Sequence, residues 1–276
     1  MNRALTAALV AGAFFLALPL TAAESDVVIV SHRALYDFNM ISATSGAGVA
    51  DIRGKMYYEQ ADVCDAWTTD HRFSVEYHYP DQQPVLSVSH YTAWESADGQ
   101  KFSFSSDRQE NGQQVEQLRG TVNRKDDGTA SADYARPPDL AFALPQGYLL
   151  PTQHTIEALR RARKGEKLFS ATIFDGTDAD GPVIINTFFG KKATAEEIAK
   201  IAGKGKIDKA LLTPDAWHVR MSVFPLKDKE NMAPSYEMDV ILHDNGIISH
   251  VLLDYGTFKV EQNLLALDGL AVRKCS

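Results

Sequence analysis

The sequence predicts a mainly β protein, a single large antiparallel sheet that curls, with an amphipathic helix laid on its concave face. Three observations carry this. Turn dipeptides that tolerate positive φ recur along the chain: Asp98-Gly99, Asn111-Gly112, Asp127-Gly128, Asn245-Gly246 and Asp268-Gly269. Between them side chains alternate with a period of two, as in half-buried strands: Phe73, Val75, Tyr77 and Tyr79 against Ser74, Glu76 and His78, then Val219, Met221 and Val223 against His218, Arg220 and Ser222. Finally, no Pro-, Gly- or Ser-rich linker divides the chain.

The first element is not part of the fold. Residues 1–23 carry one cation, Arg3, then an uncharged apolar run from Ala4 to Leu18, then Pro19 and the small residues Thr21-Ala22-Ala23. That is the layout of a secretory signal peptide, with cleavage expected after Ala23. The apolar run is shorter than the roughly 20 residues of a spanning helix, which disfavours the alternative of an uncleaved anchor. A soluble exported protein of residues 24–276 in one domain is expected, without stable membrane insertion.

In that mature chain, strands are expected near 27–40, 49–60, 64–79, 85–96, 100–109, 113–124 and 129–135, then 168–174, 183–190, 216–225, 235–243, 247–255 and 257–267. A twisted sheet of thirteen strands curls, splits into layers or closes. Between the two groups of strands, His154 to Lys164 reads as an amphipathic helix with Ile156, Leu159 and Ala162 on one side. Thr152 is its expected cap and Gly165 its end, with Arg160, Arg161, Arg163 and Lys164 in the last turn, where the helix dipole favours cations. The concave face of the sheet is the economical place to bury its apolar side. A second, weaker helix is expected over Ala195 to Ala202, in a lysine-rich stretch from Lys191 to Lys209 that reads as a solvated face.

Composition narrows the function classes. The 276 residues are 45% hydrophobic and 23% charged, with 28 Lys+Arg against 36 Asp+Glu, a net charge of −8. This is a globular profile, and the acidic balance argues against nucleic acid. There are two cysteines, Cys64 and Cys275, with no C-x-x-C spacing. An exported protein meets oxidising conditions, so a bridge between them is one reading and two buried thiols the other.

Catalytic signatures do not emerge. The chain has no G-x-S-x-G, no S-x-x-K, no H-E-x-x-H and no histidine pair spaced i, i+4. Its eight histidines, His32, His71, His78, His90, His154, His218, His243 and His250, stand singly and read as structural or surface residues. The loop Asp175 to Gly181 suggests calcium, but an EF-hand register would put Gly176 at position one and Thr187 where a bidentate Glu belongs, so a tight acidic turn is expected instead. No catalytic residue and no metal ligand is assigned.

The accumulated segments are similar to one known family. His32-Arg33-Ala34-Leu35-Tyr36-Asp37, Gly54-Lys55-Met56-Tyr57-Tyr58-Glu59, Cys64-Asp65-Ala66-Trp67 and Trp94-Glu95-Ser96 come first. Leu144-Pro145-Gln146-Gly147, Pro151-Thr152-Gln153-His154-Thr155, Phe174-Asp175-Gly176, Leu253-Asp254-Tyr255-Gly256-Thr257-Phe258 and finally Cys275 follow. In this order and spacing the chain resembles the EipB family of bacterial periplasmic cell-envelope integrity proteins. The resemblance implies a spiral or bowl-shaped sheet with a helix in its concavity, a Cys64–Cys275 disulfide, a role in envelope integrity and a periplasmic tetratricopeptide-repeat partner. It brings no enzymatic activity and no cofactor.

Two functions of different class follow as expectations: a non-enzymatic periplasmic protein acting through protein contact, and a carrier or binding module for a lipid or other amphiphile. A cell-wall hydrolase has only scattered Asp, Glu and His residues behind it. Whether the helix fills the concave face or leaves a cavity separates the first two.

Overall fold

The computed structural model describes residues 27–203, 205–212, 215–227, 233–271 and 275. The expected leader and its cut after Ala23 lie outside these residues. Six strands form an up-and-down meander: β1 (His32–Ala43), β2 (Asp51–Asp62), β3 (Ala66–His78), β4 (Val85–Ser96), β5 (Lys101–Glu110) and β6 (Gln113–Arg124). β7 (Ala130–Arg136) and β8 (Ala141–Leu144) carry it to one edge of the sheet. After helix α1 (Pro151–Arg163), β9 (Leu168–Ile173) and β10 (Val183–Lys192) begin the opposite edge. Helix α2 (Ala195–Ala202) and the short β11 (Lys206–Ile207) come next. β12 (Ala216–Pro225), β13 (Tyr236–His243), β14 (Ile248–Asp254) and β15 (Phe258–Gly269) then return to β1.

The result is one 15-stranded sheet in the order β8-β7-β6-β5-β4-β3-β2-β1-β15-β14-β13-β12-β10-β9, antiparallel along that path, with β11 parallel to the end of β15. First and last strands are neighbours, His32 opposite Gly269. The path does not close on itself. Instead, residues 148–150 run along β9 with one parallel bridge, Leu149 N donating to Thr172 O at 2.9 Å and accepting at its carbonyl from Phe174 N at 3.1 Å. The loop after β9 holds the curl from the other side. Tyr91 on β4 donates to Asp175 O at 2.6 Å and Tyr134 on β7 donates to Asp178 O at 2.9 Å.

Two glycines serve this close approach. A Cβ at Gly54 would stand 2.5 Å from Ser74 O on the neighbouring strand, so the sheet bends there without a side chain in the way. Gly176 has φ +67° and lies against the Phe104 ring, where a Cβ would come within 2.4 Å. The acidic loop is the tight turn expected. Asp175 Oδ1 accepts from Thr177 N and Oγ1, Asp178 Oδ1 accepts from Asp180 N, and no metal-holding cluster occurs among the described residues.

The strand expectations match the structure to within a few residues, except that the first strand starts at His32 rather than near 27, and that β8 and β11, of four and two residues, are too short to display a period. Helix α1 departs from expectation at its start. It begins at Pro151, whose fixed φ suits a first helical position, and Thr152 is buried inside the helix rather than capping it. Leu150 occupies the cap position and makes no side-chain cap bond. At the other end Gly165 takes φ +75°, and the bonds Gly165 N to Ala162 O and Glu166 N to Arg161 O form the double closure favoured by a left-handed glycine.

Ala158, Leu159 and Ala162 seat α1 in the concavity, among Phe38, Ile52, Val75, Phe169, Val219, Val240 and Val251. Ile156 packs against this cluster but is only partly buried. The helix cations are engaged rather than free. Arg163 pairs with Asp244 at 2.7 Å, and Arg161 pairs with Glu157 and Glu166, both at 2.8 Å, its guanidinium 4.4 Å from the Phe169 ring centre. A second, aromatic cluster joins Phe102, Phe104, Tyr134 and Phe174, with Phe104–Tyr134 ring centres 5.0 Å apart. Helix α2 is closed by a reciprocal cap between Thr194 and Glu197 and buries Ile198 and Ala202 near Leu264 and Leu267.

Cys64 and Cys275 are joined in a disulfide, Cα atoms 5.6 Å apart and 211 residues apart in sequence. The bridge ties the turn between β2 and β3 to the chain beyond β15.

Candidate functional site

The concave face is not filled by α1. A cavity of about 370 Å³ remains beside the first turns of the helix, within the range of about 300–1,000 Å³ typical of small-molecule sites. Strand register builds one wall. On the inner face Tyr58 of β2 stands opposite His71 of β3, and His71 opposite Tyr91 of β4. His32 of β1 lies diagonal to Tyr58. The four rings form a ladder with centre-to-centre distances of 5.3 Å (His32–Tyr58), 4.7 Å (Tyr58–His71) and 5.6 Å (His71–Tyr91). Ile173, Ile185, Met221, Met238 and Val251 supply apolar lining from the later strands, and Pro151, Thr152, His154 and Thr155 line it from the helix.

Glu95, 3% exposed on β4, explains how the helix is held. Its Oε2 accepts from Thr152 N at 2.8 Å and its Oε1 from Gln153 N at 3.0 Å. These amides are among the orphan donors of the first turn, so a strand carboxylate does the work that Leu150 cannot. Gln60 Nε2 donates to Thr152 Oγ1 at 3.2 Å, and Tyr58 donates to Gln60 Oε1 at 2.9 Å, linking the ladder to the helix. Burial pushes the Glu95 carboxyl above its ordinary value, and the two amide bonds pull it back only in part.

The same burial keeps the imidazoles uncharged. His71 and His154 are both pulled down to about 4 by desolvation, with Asp70 opposing it weakly at His71. His32 is also lowered, and the tyrosines Tyr36, Tyr58 and Tyr91 are raised, so all stay neutral near pH 7. The Nε2 atoms of His71 and His154 are buried without a hydrogen-bond partner. A histidine acting as base for a nucleophile would hold a hydroxyl or thiol within hydrogen-bond reach at that atom. A Ser–His contact does occur between Ser249 Oγ and His243 Nε2 at 2.9 Å, but these residues are 1% and 0% exposed and no substrate reaches them.

A second concavity, of about 720 Å³, lies on the outer face between α2 and strands β10, β12, β13, β14 and β15. Phe188, 45% exposed, and Leu252 give it an apolar base. Paired side chains rim it: Arg220 with Asp239 at 2.7 Å, and the imidazoles of His250 and His218 beside Glu261 at 3.0 Å and Glu197 at 3.4 Å. The lysine-rich stretch borders it through Lys200, while Lys192 is turned to Asp215 at 2.6 Å.

Single histidines and a lone acidic strand residue did not reveal the inner site. Glu95, His71 and His154 are distant in sequence, and the only available signal was that Trp94-Glu95-Ser96 and Pro151-Thr152-Gln153-His154-Thr155 both carried the family likeness. The structure brings these two segments into direct contact. Cys64 and Cys275 stand away from the cavity lining.

Comparison with known proteins agrees with this architecture. The EipB-like family model matches residues 23–271. The chain is 30% identical over 249 residues to the cell envelope integrity protein EipB of Brucella abortus (strain 2308), covering 89% of this chain and 86% of that protein. A crystal structure of a beta-barrel-like protein of a domain of unknown function from Brucella abortus superposes with a TM-score of 0.78 at 28% identity, covering 89% of this chain and all of that one.

Proposed function

This chain belongs to the EipB-like family, and from that premise we propose that it supports cell-envelope integrity as a non-enzymatic periplasmic protein acting through contact with another protein. Export follows from the leader layout of residues 1–23 and agrees with a Cys64–Cys275 bridge, which persists in an oxidising compartment. No helix among the described residues is long and apolar enough to cross a membrane.

The observation that carries the contact reading is the outer groove. It offers an apolar base with an exposed Phe188 inside a rim of paired polar side chains, the composition of a protein-binding patch with a polar edge. The expected partner, from the family likeness, is a periplasmic tetratricopeptide-repeat protein. Affinity capture from envelope extracts tests this with wild type and Phe188→Glu, a change on an exposed strand position. Wild type is expected to retain a partner that the variant loses; equal capture by both, or no partner for either, refutes the groove as the contact surface.

The inner cavity favours a second reading, carriage of an amphiphile. Its lining is mainly apolar, it has the volume of a small-molecule site, and α1 leaves it open.

A further inference from the structure

We propose that the inner cavity is selective for an uncharged amphiphile, an apolar chain with a hydroxyl or amide head, and rejects both anionic and cationic heads. This rests on the carrier reading above.

The argument is one of charge. Among the described residues that line the cavity there is no lysine or arginine, so an anionic head finds no counter-ion. A helix N-terminus is the usual substitute, because its free amides attract anions. Here that position is taken: the Thr152 and Gln153 amides already donate to Glu95. A carboxylate or phosphate entering the cavity would find these amides occupied.

A cationic head fares no better. Glu95 is 3% exposed and both its oxygens accept backbone amides, while Asp175 Oδ1 accepts Thr177 N and Oγ1 within its own turn. Glu95 is thus engaged within the fold and shielded from a bulky cationic head. Burying an ion without an unspent partner is costly, whereas a neutral head loses far less on leaving water.

The histidines supply the complement to a neutral head. His71 and His154 line the cavity, are uncharged at neutral pH, and leave Nε2 unpaired. A neutral imidazole nitrogen is a donor in one tautomer and an acceptor in the other, and a hydroxyl or amide head answers either. The chain would lie on Ile173, Ile185, Met221 and Met238, whose flexible thioethers adapt to an irregular ligand.

The test is calorimetric titration of the mature protein at neutral pH with three probes sharing a twelve-carbon chain, each below its micelle concentration: 1-monolauroylglycerol, laurate and dodecyltrimethylammonium. The neutral probe is expected to bind at least about ten-fold more tightly than either ion. Equal or tighter binding of laurate or the ammonium overturns the selectivity while leaving the carrier reading standing; saturation by none of the three overturns both. His154→Phe is expected to weaken the neutral probe at least about five-fold and His154→Gln, which keeps a donor and an acceptor, to retain it. Contacts between the lauroyl chain and the Met221 and Met238 methyls, read by nuclear Overhauser effects on wild type, locate the site independently of any variant. Their absence in a saturated complex overturns the proposal.

Discussion

Replacing Glu95 by Gln separates the anchoring of α1 from the packing around it, because size and shape barely change. In the wild type one carboxylate accepts two buried amides, at 2.8 Å from Thr152 and 3.0 Å from Gln153. A glutamine has one acceptor oxygen, so one bond survives in a weaker, uncharged form, and the other amide faces an NH₂ donor. Losing a bond to a charged acceptor costs about 1.5–3 kcal/mol, and relief from burying a charge returns part of it. The net loss at pH 7 is about 1 kcal/mol. For a chain of this size that lowers Tm by roughly 2–4 °C.

The sign of the pH dependence adds a check. Burial raises the folded-state pKa of Glu95 above its unfolded value of 4.5, so its titration contributes stability that is complete below 4.5 and is lost as pH rises through the folded pKa. The gap between wild type and Glu95→Gln therefore narrows with rising pH across that window and is flat above it. Thermal unfolding followed by circular dichroism measures the gap, and amide exchange at residues 152–154 reports the first turn directly. An unchanged Tm together with unchanged exchange would refute the assignment of Glu95 as the helix anchor.

Two further outcomes follow from the fold. Reducing the Cys64–Cys275 bridge, or making Cys64→Ser with Cys275→Ser, removes a cross-link over 211 residues and is expected to cost about 5 kcal/mol by loop-closure entropy, read as a shift of the urea midpoint between oxidised and reduced protein. A shift below about 1 kcal/mol would contradict it. His71 and His154, lowered from 6.5 to about 4, leave the folded state with fewer protons than the unfolded one, so stability is full above pH 6.5 and falls as pH drops towards 4, by up to about 3 kcal/mol for each histidine. Midpoints from pH 8 to pH 4 should show this slope in wild type and a shallower one in His154→Gln.

Much of the sheet was legible because its signals are local. Positions such as Phe73, Val75 and Tyr77 alternate over a few residues, and Asn111-Gly112 or Asn245-Gly246 mark turns within two. Gly165 as the end of α1 was equally local. The start of α1 was not: Thr152 has the chemistry of a cap, but the acceptor that satisfies the first turn is 57 residues away in sequence, on β4. Arg163 was legible only as a cation suited to the end of the helix dipole; its partner Asp244 lies 81 residues on.

The sequence by itself determined a mainly β chain of long hairpins, an amphipathic helix, two cysteines available to pair and a family likeness. Period, turn chemistry and capping act over a few residues, so they are written where they act. Only the tertiary structure decided that the sheet curls without closing, that Glu95 anchors the helix, and that α1 leaves a cavity rather than filling the bowl. Each depends on register between strands far apart in the chain, where a one-residue slip would turn Tyr58, His71 and Tyr91 to the opposite face and abolish the cavity wall.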